Sequence, residues 1–363
     1  MKKLVYIHPS KLTNRWINYY CLDSLSEVYD LEYWDCSNIS NPSFKAGNPA
    51  IRDYVTVVKT SSDFIDNLKR IPSNSLLVID LHRSYKNLYL YSIIRKYFKS
   101  RVFINFFSNT QKSYGNKYIA KIMESSIGDI YALFRVRIMF NCFTISSAFG
   151  AAYRINHPDY EECIRNQHVE AIYKGRYIVY IDNYFPLHPE ISQRNPSFDA
   201  KKLAKSFYLS LNQYFDRLEK EYSCRVVIAA HPSSDYSINP FDNRDIIYNQ
   251  TCNLVKYSLK ICMHTSNSIS YVMLYNKPTI LLSNNVFRQA KTEYRRLVAT
   301  SRSMCLPIVD TDEDNNLHAF RQIDSAFASG YIKKYLIAID NVPNQILFKQ
   351  YFDTIYDLEN KNI

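Results

Sequence analysis

The sequence predicts an α/β protein built as two doubly wound halves, each with a parallel sheet, the two sheets facing a central cleft. Three observations lead there. At 363 residues the chain is longer than one hydrophobic core ordinarily holds. Short apolar runs of buried-strand length recur along it, separated by stretches long enough for one or two amphipathic helices. The pattern blurs between residues 107 and 177 and then restarts on a strongly apolar run.

In the first half the runs at residues 4–7, 76–79 and 102–107 read as strands. The basic N-terminus meets Pro9 too soon for a signal-peptide apolar region and reads as the first strand instead. The second half alternates regularly: strand 177–181, helix 198–222, strand 226–229, helix 249–258, strand 261–263, helix 266–275 and strand 279–282. The boundary is set at 170/171, giving an N-terminal domain over 1–170 and a second over 171–340. A final segment, 341–363, carries a helix at 343–358 expected to pack back on the first domain. In open α/β sheets, ligands bind beyond the carboxyl ends of strands, so function is sought immediately after these runs.

Composition narrows the classes. Hydrophobic residues at 47% and charged residues at 22% exclude disordered, collagen-like and coiled-coil chains. The six glycines form neither GxGxxG nor GxxxxGK[ST], which argues against fingerprinted dinucleotide binders and P-loop NTPases. Eight scattered cysteines without a CxxC pair point to a reducing compartment and no structural zinc, and no apolar run spans a membrane. A cytoplasmic protein is expected. The net charge of +11 implies an anionic ligand or surface nearby. Residues 83–101, basic and rich in Tyr, Leu and Ile, suit peripheral contact with an anionic inner membrane as well as a half-buried surface helix.

Four of the eight histidines precede proline: His8, His157, His188 and His231. Composition alone would give about 0.3 such pairs. Proline holds the preceding residue extended, so His231-Pro232-Ser233, straight after strand 226–229, presents an imidazole at a strand's mouth. The next strand delivers His264-Thr265-Ser266-Asn267-Ser268 into a helix start, where hydroxyls and free N–H groups suit a phosphate. Strand 177–181 runs into Asp182-Asn183, with His188 and Glu190 beyond, and strand 76–79 ends the same way in Asp80 and His82. Either aspartate could serve as a general base, with Asp182 slightly preferred; His82, Asn183, His188 and Glu190 are candidates for contacts to acceptor or sugar.

His231-Pro232-Ser233-Ser234 and His264-Thr265-Ser266-Asn267-Ser268, with Lys277-Pro278 before the following strand, resemble the His-Pro and serine motifs of bacterial GT-B glycosyltransferases of surface polysaccharide synthesis that carry sialyltransferase-like motifs. The likeness covers residues 175–285; before that it is architectural. The acidic motif of that group ends in glycine, and Asp182-Asn183-Tyr184 does not. The resemblance implies a GT-B-like fold of two Rossmann-like domains. It implies transfer of a nonulosonic acid or Kdo from a CMP-activated donor to a glycan or lipid-linked oligosaccharide acceptor in lipopolysaccharide, O-antigen or capsule synthesis. His231 would contact the donor phosphate and assist its departure, with Ser266 and Ser268 on the same phosphate. Transfer would be inverting, without metal or other cofactor, the CMP-sugar being substrate.

Two further readings stay open. Teichoic-acid-type transferases of CDP-glycerol or CDP-ribitol also resemble the chain in their His-Pro and Ser-Ser motifs. A non-catalytic nucleic-acid or membrane-binding protein would fit the charge, but the basic residues are dispersed and no RNA-binding motif is present, so no nucleic-acid partner is expected.

Overall fold

The computed structural model describes residues 1–40, 49–105, 127–189, 191, 195, 198–313, 316–339 and 342–360. The described residues form two units. The first comprises those up to 158 together with those from 337 onward, and the second those from 159 to 336. Among the described residues the unit changes at 158/159 and 336/337, where the sequence suggested 170/171 and 340/341.

Unit 1 is built on seven strands: β1 (Lys3–His8), β2 (Asp30–Asp35), β3 (Val55–Val57), β4 (Leu76–Ile79), β5 (Ser100–Asn105), β6 (Asn141–Ser146) and β7 (Tyr153–Arg154). They lie in the order β3-β2-β1-β4-β5-β6-β7, every pair parallel. Strand periodicity divides the core between the two sheet faces. Leu4, Tyr6, Leu76 and Val78 pack with Leu347, Phe348, Phe352 and Ile355 of the terminal helix Asn344–Asn360. Val5, Ile7, Leu77 and Ile79 pack with Phe64 and Leu68 of helix Ser61–Arg70 and with Leu90, Tyr91 and Ile94 of helix Leu88–Tyr97. Helix Ser61–Arg70 starts in a capping box, Thr60 Oγ1 accepting from Asp63 N and an Asp63 carboxylate oxygen accepting from Thr60 N, both at 3.1 Å.

Unit 2 contains β8 (Tyr177–Ile181), β9 (Arg225–Ala230), β10 (Ile246–Tyr248), β11 (Lys260–Met263), β12 (Thr279–Ser283) and β13 (Ile308–Asp310). Their order is β10-β9-β8-β11-β12-β13, again parallel throughout. Every residue of β8 is buried, as a central parallel strand covered on both faces requires. In each unit the first strand lies between its second and fourth, the Rossmann order with its switch point beside that first strand.

The expected fold class is therefore observed, with corrections to its elements. Strands β2, β3, β6, β7, β10 and β13 add to the seven expected. β2 was not legible as an apolar run because Glu32 sits inside it; that carboxylate is buried against Lys3, Trp34 and Arg70. β5 begins two residues earlier than expected and ends at Asn105, and the expected strand residues 106 and 107 lie outside the described residues. The region from 107 to 177 contains β6, β7 and helices Ile127–Met139 and Pro158–Arg165. The helix expected over 266–275 spans Ile269–Tyr275, because residues 264–268 form the preceding turn. Arg101 lies on β5, buried, rather than on a surface helix. Among the described residues, no helix is long and apolar enough to cross a membrane.

Candidate functional site

The candidate residues divide between the units, with Asp80 and His82 in unit 1 and the remainder in unit 2. Glu190 lies outside the described residues.

In unit 2 the register aligns the carboxyl ends of three neighbouring strands. Ile181 of β8 pairs with Ala229 of β9 on one side and Met263 of β11 on the other. Asp182 follows β8, His231 follows β9 by way of Ala230, and the turn from His264 follows β11. Asp182 Oδ1 accepts from Tyr184 N at 2.9 Å, and Oδ2 accepts from the Tyr236 hydroxyl at 2.7 Å and His231 N at 3.4 Å. Burial pushes the Asp182 carboxyl up to about 6, against the hydrogen bonds from Tyr236, Tyr184 and His231 that favour the anion. Burial, then the charge of Asp182, raises the Tyr236 phenol, which remains the donor.

His231 is half-buried, and its Nδ1 accepts from Ser233 N at 3.2 Å. An accepting Nδ1 carries no proton, so the neutral ring keeps its proton on Nε2. The His188 ring lies edge-on to it, centroids 5.1 Å apart. Pro232 and Ser233 are exposed, while Ser234 folds back, its hydroxyl donating to the His231 carbonyl at 2.8 Å. Asn183 links the β8 and β11 ends: its Oδ1 accepts from Phe185 N at 3.2 Å and its Nδ2 donates to the Thr265 carbonyl at 3.5 Å. Thr265, Ser266 and Ser268 are half-buried and Asn267 is exposed, with Ser266 Oγ accepting from Ser268 N at 3.1 Å. The turn therefore offers hydroxyls and an amide to solvent beside the β8 end, a polar surface suited to phosphate oxygens.

Two candidates are set apart by their burial. His264 belongs to the core. It is fully buried, stacked on Phe287 at 4.5 Å and bordered by Phe185, Phe207 and Tyr180. Its Nδ1 donates to the Leu282 carbonyl at 2.6 Å, and burial pushes the imidazole down to about 4. Asp182, preferred from sequence as the base, is 3% exposed, and both of its oxygens accept hydrogen bonds from the strand-end loops.

In unit 1 the strand ends bring together Asp80 and His82, both candidates from sequence, with His8 and Tyr20, which were not proposed as site residues. Asp80, beyond β4, keeps a 35% exposed side chain. Its Oδ2 accepts from the Tyr20 hydroxyl at 2.5 Å and lies 3.1 Å from Nε2 of buried His8, the last residue of β1. Nδ1 of His8 faces Ser10, accepting from its backbone N at 3.2 Å. His82 is exposed, and its carbonyl accepts from Asn87 Nδ2 at 2.9 Å. His8 carried a signal, since it belongs to a His-Pro pair ending a strand. Tyr20 and Tyr236 carried none, because tyrosines are abundant and both are far from their carboxylates along the chain.

No protein-family model matches the sequence, and no curated protein matches it. Solved structures do resemble it. The wall teichoic acid polymerase TagF aligns with TM-score 0.52 at 13% identity, covering 99% of this chain and 90% of that one. UDP-GlcNAc 2-epimerase from Methanocaldococcus jannaschii aligns at 0.47 and 9% identity over 98% and 99% of the two chains. The spinosyn forosaminyltransferase SpnP aligns at 0.46 and 10% over 98% and 99%. At such identities the likeness is one of fold. With the two parallel sheets and their strand orders, the alignment to TagF across nearly the whole chain identifies the architecture as GT-B-like, two Rossmann-like α/β domains in one polypeptide.

Proposed function

We propose that the protein is a glycosyltransferase that takes its sugar from a nucleotide-activated donor held at the strand ends of unit 2. The observation that carries this reading is the alignment of Asp182, His231 and the Thr265–Ser268 turn beyond three adjacent strands at the switch point. In this reading His231 donates from Nε2 to the donor phosphate, and Ser266 and Ser268 supply hydroxyl donors as charge develops on the leaving group. Asp182 is a positioning residue: by accepting from His231 N and Tyr236 it sets the loop on which the imidazole stands. Asp80, the more accessible of the two aspartates, is assigned to proton acceptance from an acceptor hydroxyl, with His8 and Tyr20 orienting it.

For the donor, a CMP-linked nonulosonic acid or Kdo follows from the motif resemblance and agrees with a basic protein binding a carboxylate and a phosphate together. A second reading, transfer of a phosphopolyol from CDP-glycerol or CDP-ribitol, draws support from the TagF alignment, that protein being a wall teichoic acid polymerase. Both reactions release CMP. Thermal unfolding with CMP, CDP, UDP, GDP and ADP tests the site, since a ligand at a hundredfold its Kd adds about 2.7 kcal/mol to the folded state. Selective stabilisation by CMP, lost in His231→Ala, is the expected result, and CMP release from CMP-sugars or CDP-polyols then separates the two donors. Stabilisation by UDP or GDP alone would replace the cytidine donor, and indifference to all five nucleotides would remove the nucleotide site.

A further inference from the structure

Helix Ile127–Met139 turns four of its large apolar side chains to solvent. Ile127 is 88% exposed, Tyr131 50%, Phe134 64% and Ile138 62%. Their spacing of four, three and four residues aligns them along one side of the helix. The opposite side is already satisfied: Ala132 and Val136 are buried, and Gly128 sits against Tyr85, where a Cβ would come within 3.3 Å of the Tyr85 Cβ. The helix is therefore fixed in rotation, with an aliphatic and aromatic stripe facing solvent. Isolated exposed apolar residues are ordinary, but an aligned stripe marks an interaction surface.

The rim of the stripe is basic. Arg135 and Arg137 are exposed on the helix itself. The neighbouring helix Leu88–Tyr97, packed beside it, turns Arg95 and Lys96 to solvent together with Tyr89 and Tyr97. Across residues 83–105 and 127–140 six Lys and Arg are exposed (Lys86, Arg95, Lys96, Lys99, Arg135 and Arg137), and the one acidic residue is Asp129. That carboxylate is engaged, accepting from Tyr85 N at 3.0 Å.

We propose that the Ile127–Phe134–Ile138 face is a docking surface for an anionic lipid bilayer, with the helix lying in the plane of the interface. Apolar and basic groups together select this partner. A second copy of the chain set against the same face would bring two basic rims together, and a nucleic acid would satisfy the charge while leaving Ile127, Phe134 and Ile138 in water. A bilayer accepts the stripe among its acyl chains and the arginines and lysines at its head groups. Tyr89, Tyr97 and Tyr131 have the amphipathic rings that suit that boundary. The inference stands independently of the reaction proposed above.

The test is co-sedimentation of the full chain with vesicles of phosphatidylglycerol and phosphatidylcholine, against phosphatidylcholine alone, at low and high salt. Binding only to the anionic vesicles is expected, weakened by salt. Phe134→Glu with Ile138→Glu should lower partitioning at least about tenfold, and Arg135→Gln with Arg137→Gln by about fivefold for each charge removed. Leu209→Glu, an exposed apolar position in unit 2, should bind as wild type, and circular dichroism should confirm that every variant folds. No binding to anionic vesicles, or equal binding by wild type and the Phe134→Glu/Ile138→Glu protein, would overturn the proposal. A dimer or an oligonucleotide complex dependent on this face without vesicle binding would overturn it as well.

Discussion

The Tyr236 hydroxyl donates to Asp182 Oδ2 at 2.7 Å across 54 residues of sequence, tying the loop after β9 to the end of β8. The carboxylate also accepts from His231 N, so one buried acid holds both ends of the segment that carries the candidate phosphate-binding histidine. Tyr236→Phe should cost about 1.5–3 kcal/mol, the range for a buried hydrogen bond to a charged group. Urea unfolding at neutral pH measures it, and an unchanged midpoint would show that the tyrosine contributes nothing there.

Asp182 makes a pH-dependent contribution of defined sign. Its folded value of about 6 lies above the ordinary 3.8, so its contribution to stability is complete below about 3.8 and is lost as pH rises through 6. The difference between those two values corresponds to about 3 kcal/mol. Asp182→Asn keeps a neutral, isosteric group and should gain stability relative to wild type as pH rises from about 4 to about 8. Parallel stability curves for the two proteins would contradict this.

His264 acts in the opposite sense. Its folded value of about 4 lies below 6.5, so its contribution is present above 6.5 and is lost as pH falls towards 4. His264→Phe should flatten the acid side of the stability profile, although it leaves the Leu282 carbonyl without its donor. Nucleotide binding should survive this change, since the ring is enclosed by Phe185, Phe207 and Phe287. Selective loss of binding would return His264 to the site.

The two aspartates should separate in turnover. Asp80→Asn is expected to lower it about 10²–10⁴-fold, the usual contribution of a general base, while preserving nucleotide-dependent stabilisation. Asp182→Asn should have the smaller effect on turnover and the larger effect on nucleotide binding, through the His231 loop. The reverse pattern would make Asp182 the base.

Thr60→Ala removes one half of the capping box of helix Ser61–Arg70 and should destabilise the protein by about 1 kcal/mol with no effect on nucleotide binding. Differential scanning calorimetry with and without nucleotide checks both statements.

The sequence by itself determined the central strands and where to look for a site. β1, β4, β8, β9, β11 and β12 are buried on both faces in parallel sheets, so each is an uninterrupted apolar run whose signal is local. The residues that follow such runs reach strand ends by connectivity alone, which is why Asp80, Asp182, His231 and the Thr265–Ser268 turn were legible. The tertiary structure decided the rest. β2 holds Glu32 in its interior because Lys3 and Arg70 arrive from elsewhere to pair with it, and no local pattern contains that fact. His264 and His231 look alike as residues after strands; only the rings of Phe185, Phe207 and Phe287 enclose the first and leave the second half exposed. Asp80 and Asp182 likewise end equivalent runs, yet Tyr236 closes over one and leaves the other accessible. Burial depends on neighbours contributed from distant segments, and the charge state and reach of a side chain follow from burial.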